Sequence, residues 1–373
     1  MLKRIASGLI LLLCASPSGY GQLVFNNLDE VWQYANSHNV AIKNAGTELR
    51  KGEKTVTQSY LDILPDINAT GTYTDNLSIQ TTFIPAVIFG GPEGVYRAVQ
   101  FGQKYAYNAG FTAQLDILNL QTWYNVKIAR ETAALNKASL ANTRRNTWQQ
   151  LAGQYYGYVL NRHAVDIAEL STRVADSLLA SVKNKYDEGV ASLPNVDAAQ
   201  LNSERARQTL ITASYQMRTT LNALKALLGL SVSDSVVIKE QFIWRVQTKM
   251  MSSPFTEDPS VSLSARQVSL NNARLKASNV AAYPTISIVY SNSTQQFDNT
   301  FRPFDNAGPQ WFPATYWSLR ASWSVFNGGN RWLLSQKNKL SWMQSREDAA
   351  QAKRQADIND ENLRLNFEKA ADL

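Results

Sequence analysis

A helical pattern running from about Thr122 to Leu228 is broken once, by the segment KYDEGVASLPNVDAAQ at positions 185 to 200. Gly189 tolerates the left-handed conformation of a helix end, Pro194 suits a first helical turn, and the apolar period resumes within a few residues. The sequence therefore predicts a helical hairpin with arms of roughly 65 and 35 residues, or about 100 and 50 Å at a rise of 1.5 Å per residue. Globular helices average about a dozen residues, so a compact enzyme fits poorly and a rod or tube fits well. In the long arm Trp148, Leu151, Tyr155, Tyr158, Val165, Ala168, Ala175, Leu179, Val182 and Tyr186 make one stripe. Tyr156, Leu160, Ile167, Leu170, Val174 and Leu178 make a second. The return arm carries Val196, Ala199, Ala206, Leu210, Ala213, Met217, Leu221, Leu224 and Leu228. Two stripes on one helix call for neighbours on more than one side.

Residues 1–21 stand apart from this pattern and read as an export signal. Lys3 and Arg4 form a basic start, an apolar run to Ala15 is too short to span a bilayer, and small residues precede Gln22. The only cysteine, Cys14, lies inside this segment and follows Leu13, not the small residue a lipoprotein signal requires. Loss of the signal lowers the formal charge from +7 by the two of Lys3 and Arg4. The remaining positives are interspersed with acids along the helices, which argues for solvated faces and against nucleic-acid binding. No later stretch approaches the roughly 20 apolar residues of a transmembrane helix. Any membrane insertion must therefore use strands.

Four segments alternate with period two. Ile67, Ala69, Gly71 and Tyr73 oppose Asn68, Thr70, Thr72 and Thr74, while Tyr105, Tyr107, Ala109, Phe111, Ala113, Leu115 and Ile117 oppose Asn108, Gly110, Thr112, Gln114 and Asp116. Later, Ile286, Ile288 and Tyr290 alternate with Thr285, Ser287 and Ser291, and Trp317, Leu319, Ala321, Trp323 and Val325 with Ser318, Arg320, Ser322 and Ser324. Such segments suit barrel strands with lipid outside and water inside, or a soluble sandwich with one buried face. Four strands cannot close a barrel, whereas three copies would supply twelve and leave no sheet edge.

The strands come in pairs because the chain is duplicated. Asn39-Val40 through Leu64-Pro65-Asp66 parallels Asp258-Pro259 through Tyr283-Pro284-Thr285, and the run from Leu115 to Asn119 parallels that from Trp323 to Asn327. Pro65 and Pro284 stop a helix and start a strand; Asn119 and Asn327 sit where strand gives way to helix. The expected organisation is a first repeat over 22–230, a linker over 231–257 and a second repeat over 258–373. Its strand pairs are 66–76 with 105–118 and 285–291 with 316–326, and the hairpin tip falls near 186–195. Gly/Pro/aromatic loops at 77–104 and 292–315 suit the long external loops of a barrel. Counted from Asn327, the second tip would fall about 24 residues beyond Leu373, so the second repeat is expected to be truncated.

On these elements the chain resembles the TolC-type outer membrane efflux proteins, trimeric channel-tunnels of Gram-negative bacteria. The resemblance covers nearly the whole mature chain and is sharpest in the duplicated order and in the turn Tyr186, Glu188-Gly189-Val190, Asn195-Val196, Ala199-Gln200. Asn195 stands where the family commonly has Asp. The resemblance implies a mixed fold, with long α-helical hairpins forming a trimeric α-barrel joined to a β-barrel of four antiparallel strands per chain. It implies a homotrimer in outer membrane lipid, with Tyr105, Tyr107, Phe111, Leu115, Trp317, Leu319 and Trp323 facing lipid and the helices in the periplasm. It further implies a periplasmic adaptor protein and an inner-membrane transporter as partners, with Glu188, Gly189 and Val190 as adaptor contacts and also, at Gly189, a helix cap.

Chemistry finds no foothold in the sequence. His38 and His163 lack companions at metal-ligand spacing, there is no nucleophile elbow or Walker loop, and the pairs Gly90-Gly91 and Gly328-Gly329 suit turns. No enzyme activity, metal or cofactor is expected. The reading is a passive exit duct for efflux or type I secretion; the alternative is a secreted coiled-coil adhesin or scaffold, which has no use for two pairs of amphipathic strands.

Overall fold

The computed structural model describes residues 23–240, 258–302 and 310–372. The expected signal segment and the linker residues 241–257 lie outside them. In chain order the elements are β1 (Leu23–Phe25), α1 (Leu28–His38), α2 (Val40–Leu61), β2 (Asp66–Asp75), β3 (Thr81–Pro85), β4 (Tyr96–Gln100), β5 (Tyr105–Leu118) and α3 (Leu120–Asp187). They continue with α4 (Leu193–Leu228), β6 (Val236–Ile238), α5 (Pro259–Val280), β7 (Thr285–Asp298), β8 (Phe312–Ser322) and α6 (Asn330–Asp372). The hairpin arms α3 and α4 have 68 and 36 residues. No described helix is long and apolar enough to cross a membrane. The chain divides into two compact units, one of Met1–Gly46, Leu140–Ser253 and Lys369–Leu373, the other of Thr47–Ser139 and Pro254–Glu368.

The duplication is written into the local chemistry of each element. Asn39 caps α2 by accepting from the Ile42 amide (3.1 Å), and Asp258 caps α5 by accepting from that of Ser260 (2.8 Å). Both helices tighten in the same way before their prolines: Leu64 donates its amide to the Leu61 carbonyl (2.9 Å), and Tyr283 donates to Val280 (3.0 Å). A proline cannot continue a helix and biases its predecessor towards extended geometry, so each chain segment leaves as a strand.

In the first unit the end of α4 folds onto the start of the chain. Gly229 closes α4 at φ +72, and a Cβ there would lie 3.0 Å from the His38 carbonyl oxygen. Only glycine meets both demands. The chain then adds β6 in parallel to β1, pairing Leu23 with Val236 and Phe25 with Ile238. Phe25, Val31, Ala35, Leu151, Tyr155, Val159, Leu224, Leu228, Val236 and Ile238 form one buried cluster. Arg162 donates to the carbonyls of Ile238 (2.7 Å) and Glu240 (2.8 Å), and the Tyr155 hydroxyl donates to the Glu240 carboxylate. Burial, then that carboxylate, pushes the Tyr155 phenol up. Residues 236–240, expected as linker, are thus packed structure. Three residues of β6 are too few to show a period, and their partner lies over two hundred positions away.

In the second unit β2, β5, β7 and β8 form an antiparallel sheet in that order. Asp66 pairs with Gln114 and Asp75 with Tyr105; Thr285 pairs with Ser322 and Thr294 with Pro313. β7 runs to Asp298, well past the expected end at 291, because β5 supplies backbone partners along the mainly polar stretch 292–298 and β8 does so as far as Gln295. β8 covers Phe312–Ser322 and not 316–326, since β7 begins at Thr285 and offers nothing opposite residues beyond Ser322. The expected loop 77–104 contains a further hairpin, β3 with β4, around a short 3-10 turn at Ala86–Phe89 that ends on Gly90 at φ +75. At Gly110 a Cβ would fall 2.6 Å from the Asn292 oxygen and 2.7 Å from Ser293 Cβ. Opposed Cβ atoms in an antiparallel pair ordinarily stand about 4.5–5.5 Å apart, so the sheet closes up on the side where Gly110 lies.

Candidate membrane face and hairpin tip

Directly opposed residues of an antiparallel pair share a face, so the ladder assigns every side chain to one of two surfaces. Ile67, Ala69, Gly71 and Tyr73 of β2 pair with Ala113, Phe111, Ala109 and Tyr107 of β5. Phe111, Ala113 and Leu115 pair in turn with Asn292, Tyr290 and Ile288 of β7, and Tyr290 and Ile288 with Trp317 and Leu319 of β8. The four apolar series read from the sequence thus merge into one surface. The reverse surface carries Asn68, Thr70, Thr72 and Thr74, then Asn108, Gly110, Thr112, Gln114 and Asp116, then Ser287, Ser291, Ser293 and Gln295, then Ser318, Arg320 and Ser322. Gly110 places the close approach of β5 and β7 on this polar side.

Much of the apolar side is left uncovered by the chain. On the apolar side Ile67 is 69% exposed, Leu319 62% and Trp317 75%, while Ser287 and Val289 on the polar side are buried. Phe111 packs against Tyr290 at a centroid distance of 5.8 Å and remains exposed. Tyr105 and Leu115 are half-buried on the same side. Tyr107 is covered: Tyr73 leans on it at 5.4 Å, and Phe301 closes a cluster with Tyr73 and Tyr105 at 5.7 Å to each. Trp323 does not belong to the strand face. It lies one residue beyond β8 and donates its indole N–H to the Ala282 carbonyl (3.0 Å), anchoring the foot of the sheet to the end of α5. The outer edges of β2 and β8 have no strand partner among the described residues.

The hairpin tip is built by a second glycine cap. Gly189 sits at φ +76, the Val190 amide donates to the Lys185 carbonyl (2.8 Å), and the Gly189 amide donates to Tyr186 (2.9 Å). That pair of bonds is the Schellman closure of a helix end, and it requires the left-handed residue to be glycine or nearly so. Nothing lies within 4 Å of a Cβ at 189. Conformation alone selects glycine there. Ser192 starts α4 in extended geometry, with Pro194 in its first turn. Glu188 is exposed, and three apolar side chains stand out around it: Val190 at 75%, Leu193 and Tyr186. Behind the tip, Asp176 ties the arms together, accepting from the Ser203 hydroxyl (2.5 Å) and from Arg207 (3.2 Å). The Ser203 hydrogen bond, and then Arg207, holds its carboxyl below the usual range.

The two stripes of α3 differ in fate. Leu151, Tyr155, Ala168 and Ala175 of the first are buried, whereas Tyr156, Leu160, Ile167, Leu170, Val174 and Leu178 of the second all stay exposed in the single chain. Sequence periodicity gave both stripes equal standing. It also missed the Arg162 and Tyr155 anchors, whose partners are a backbone and a carboxylate in the segment expected as linker.

A family model described as outer membrane efflux protein matches residues 31–230, more than half of the chain. No curated protein matches. Among solved structures the chain is similar to the CmeC outer membrane channel of Campylobacter jejuni, with TM-score 0.69 and 14% identity over 88% of this chain and 68% of that one. It is similar to a membrane protein from Pseudomonas aeruginosa, with TM-score 0.68 and 16% identity over 88% and 74%. It is also similar to the outer membrane protein VceC of Vibrio cholerae, with TM-score 0.67 and 14% identity over 88% and 76%. At such identities these likenesses establish the fold: long helical hairpins joined to antiparallel barrel strands.

Proposed function

The chain belongs to the outer membrane efflux protein family, and from that premise we propose that three copies form a passive exit duct in the outer membrane of a Gram-negative bacterium. Each copy gives β2, β5, β7 and β8 to a twelve-stranded barrel, its apolar side against lipid and its hydroxyl- and amide-rich side against water. The helices stand in the periplasm. A periplasmic adaptor, carrying substrate from an inner-membrane transporter, meets the tip at Glu188, Gly189 and Val190. The duct supplies a path and no catalytic step.

One observation carries this reading: the sheet gathers its large apolar side chains, most of them exposed, on one side and its small polar ones on the other, and leaves two open edges. Open edges invite further strand pairing, and closure with copies of the same chain removes them. An outward apolar band is stable in hydrocarbon and costly in water. The exposed second stripe of α3 supports assembly in the same way, since six large apolar side chains await a neighbour. At the tip, Val190 presents apolar surface at the end of a helix whose last carbonyls are satisfied by the glycine cap. A lone adhesin or scaffold would gain nothing from a sheet with an exposed apolar side.

Fractionation tests the reading. The protein should sediment with outer membranes and extract in mild detergent as a trimer that resists sodium dodecyl sulfate until heated. A soluble periplasmic monomer would refute it.

A further inference from the structure

The duplication fixes more than the fold. Each β2–β5 pair has a counterpart in β7–β8: Asp66 with Gln114 corresponds to Thr285 with Ser322, and Asp75 with Tyr105 to Thr294 with Pro313. Even the bond above the ladder is matched, since the Asn76 amide donates to the Lys104 carbonyl (2.7 Å) where Gln295 pairs with Phe312. The two repeats therefore superpose with one constant shift of 219 residues for the first strand and another of 208 for the second.

The chain also contains one complete junction between repeats, β5 against β7, in which Gly110, Phe111, Thr112 and Gln114 face Ser293, Asn292, Ser291 and Val289. A junction between copies would bring together the same two strand types, the second strand of one repeat (β8) and the first strand of the next (β2). If six repeats close one barrel, equivalent strands meet in equivalent register, because a different stagger at alternate junctions would break the uniform tilt that closure requires.

We infer that β8 of one copy pairs antiparallel with β2 of the next in the register Arg320 opposite Thr72, Leu319 opposite Tyr73, Ser318 opposite Thr74 and Ser322 opposite Thr70. The inference rests on the proposed three-copy barrel and adds the seam itself. Face matching supports it independently of the shift. Leu319 and Tyr73 both lie on the apolar side, and Arg320 and Thr72 both lie on the polar side. A slip of one residue would oppose unlike faces. A slip of two preserves the faces, so it is the alternative the experiment must separate. Carried one step further, the register sets Trp323 opposite Ala69, which gives residues beyond Ser322 the backbone partner that the single chain lacks. It also places the one basic side chain of the polar face of the ladder between neutral hydroxyls, Ser287 on its own chain and Thr72 on the next.

Cysteine pairs read the register directly. In a Cys14→Ser background, Thr72→Cys with Arg320→Cys and Tyr73→Cys with Leu319→Cys each place two thiols on opposed positions of the seam. Adjacent positions alternate between wide and narrow pairs, and opposed Cα atoms about 4.5–5.5 Å apart span the range a disulfide accepts. Within one copy the two thiols lie three strands apart, about 14 Å, so no internal bridge competes. Mild oxidation of the detergent-extracted trimer should convert at least one of these variants to a covalent trimer, reversed by reductant. Arg320→Cys combined with Thr70→Cys or with Thr74→Cys should stay monomeric on denaturing gels. Cross-linking through Thr70 or Thr74 in place of Thr72, or none from either opposed pair in an intact trimer, overturns the register. Absence of a trimer before oxidation refutes the barrel reading itself, a separate outcome visible on the same gel.

Discussion

Phe111→Lys and Thr112→Lys place the same side chain on adjacent residues of β5, on opposite sides of the sheet. Phe111 is the seventh of the fourteen residues of β5, so it lies near the middle of any hydrocarbon layer the strand crosses. A lysine near the midplane of a barrel costs about 2–4 kcal/mol. Loss of the ring contact with Tyr290, at 5.8 Å, adds about 0.5–1.5 kcal/mol. The sum is about 3–5 kcal/mol in each chain, about two to four decades in the folding equilibrium, and it would recur in each copy of the proposed trimer. At Thr112, flanked by Asn68 and Ser291 on the polar side, the lysine enters water among hydroxyls and amides and should cost less than about 1 kcal/mol. The assay is the temperature at which detergent-extracted trimer dissociates, read beside the amount inserted in outer membranes. Phe111→Lys should lower both sharply and Thr112→Lys neither. Equal tolerance at the two sites, or greater damage at Thr112, would refute the assignment of faces.

Gly110→Ala should impair sheet formation although alanine is small, because its Cβ meets Asn292 and Ser293 below 3.0 Å; Gly71→Ala, with nothing within 4 Å, should be mild in the same insertion assay. At the tip, Val190→Asp keeps the glycine cap and should leave trimer assembly intact while adaptor cross-linking and export fall, whereas Gly189→Ala should cost about 1 kcal/mol locally through its φ of +76 and be read as fraying of α3 in hydrogen exchange. Asp176 has a lowered folded pKa, so the stabilisation it gives the arms is present above the ordinary carboxylate range and is lost as pH falls through the lowered value. Ser203→Ala removes the first cause of that lowering and should move acid melting of the hairpin to higher pH, followed by circular dichroism; an unchanged acid midpoint would show that the tie carries no pH-linked stability.

Local chemistry that acts within a few residues was legible in the sequence. Gly189 as a helix stop, and Pro65 and Pro284 as helix-to-strand breaks, each depend on one residue and its immediate backbone. The strand faces were legible for a related reason, since period two is preserved whatever lies beyond. What the sequence hid was pairing that supplies structure from a distance. Residues 292–298 are polar except for Phe297 and carry no strand signal, yet β5 along their whole length and β8 as far as Gln295 make them the upper half of β7. Trp323 continues the alternation of β8 and still falls outside it, because the ladder ends where β7 does. β1 and β6 are three residues each and find one another across the first repeat. Tyr155 looked like one more stripe residue, although its hydroxyl holds Glu240 in place.

The apolar stripes mark the deeper boundary. Leu151 and Tyr155 on one side of α3, and Leu160 and Ile167 on another, follow the same spacing and use the same residue types. In the folded chain the first pair is buried completely, while Leu160 is 58% and Ile167 66% exposed. A one-dimensional pattern states that a face seeks apolar company; it does not state whether that company is α4, lipid or a second copy. Only the supply of covering surface decides, and a chain has a fixed supply. For α3 that supply is spent on the first stripe by α4, β1 and β6. For the sheet it is withheld from most of the apolar side, where Trp317 and Leu319 stand free while Ser287 and Val289 on the other side lie covered. A soluble sandwich would bury the first pair and wet the second. The inversion means that the sheet's hydrophobic free energy is realised only against something outside the chain, and the helix stripe has the same need in water. Lipid suits the former and copies of the chain the latter, so insertion and assembly should fail together when either surface is made polar.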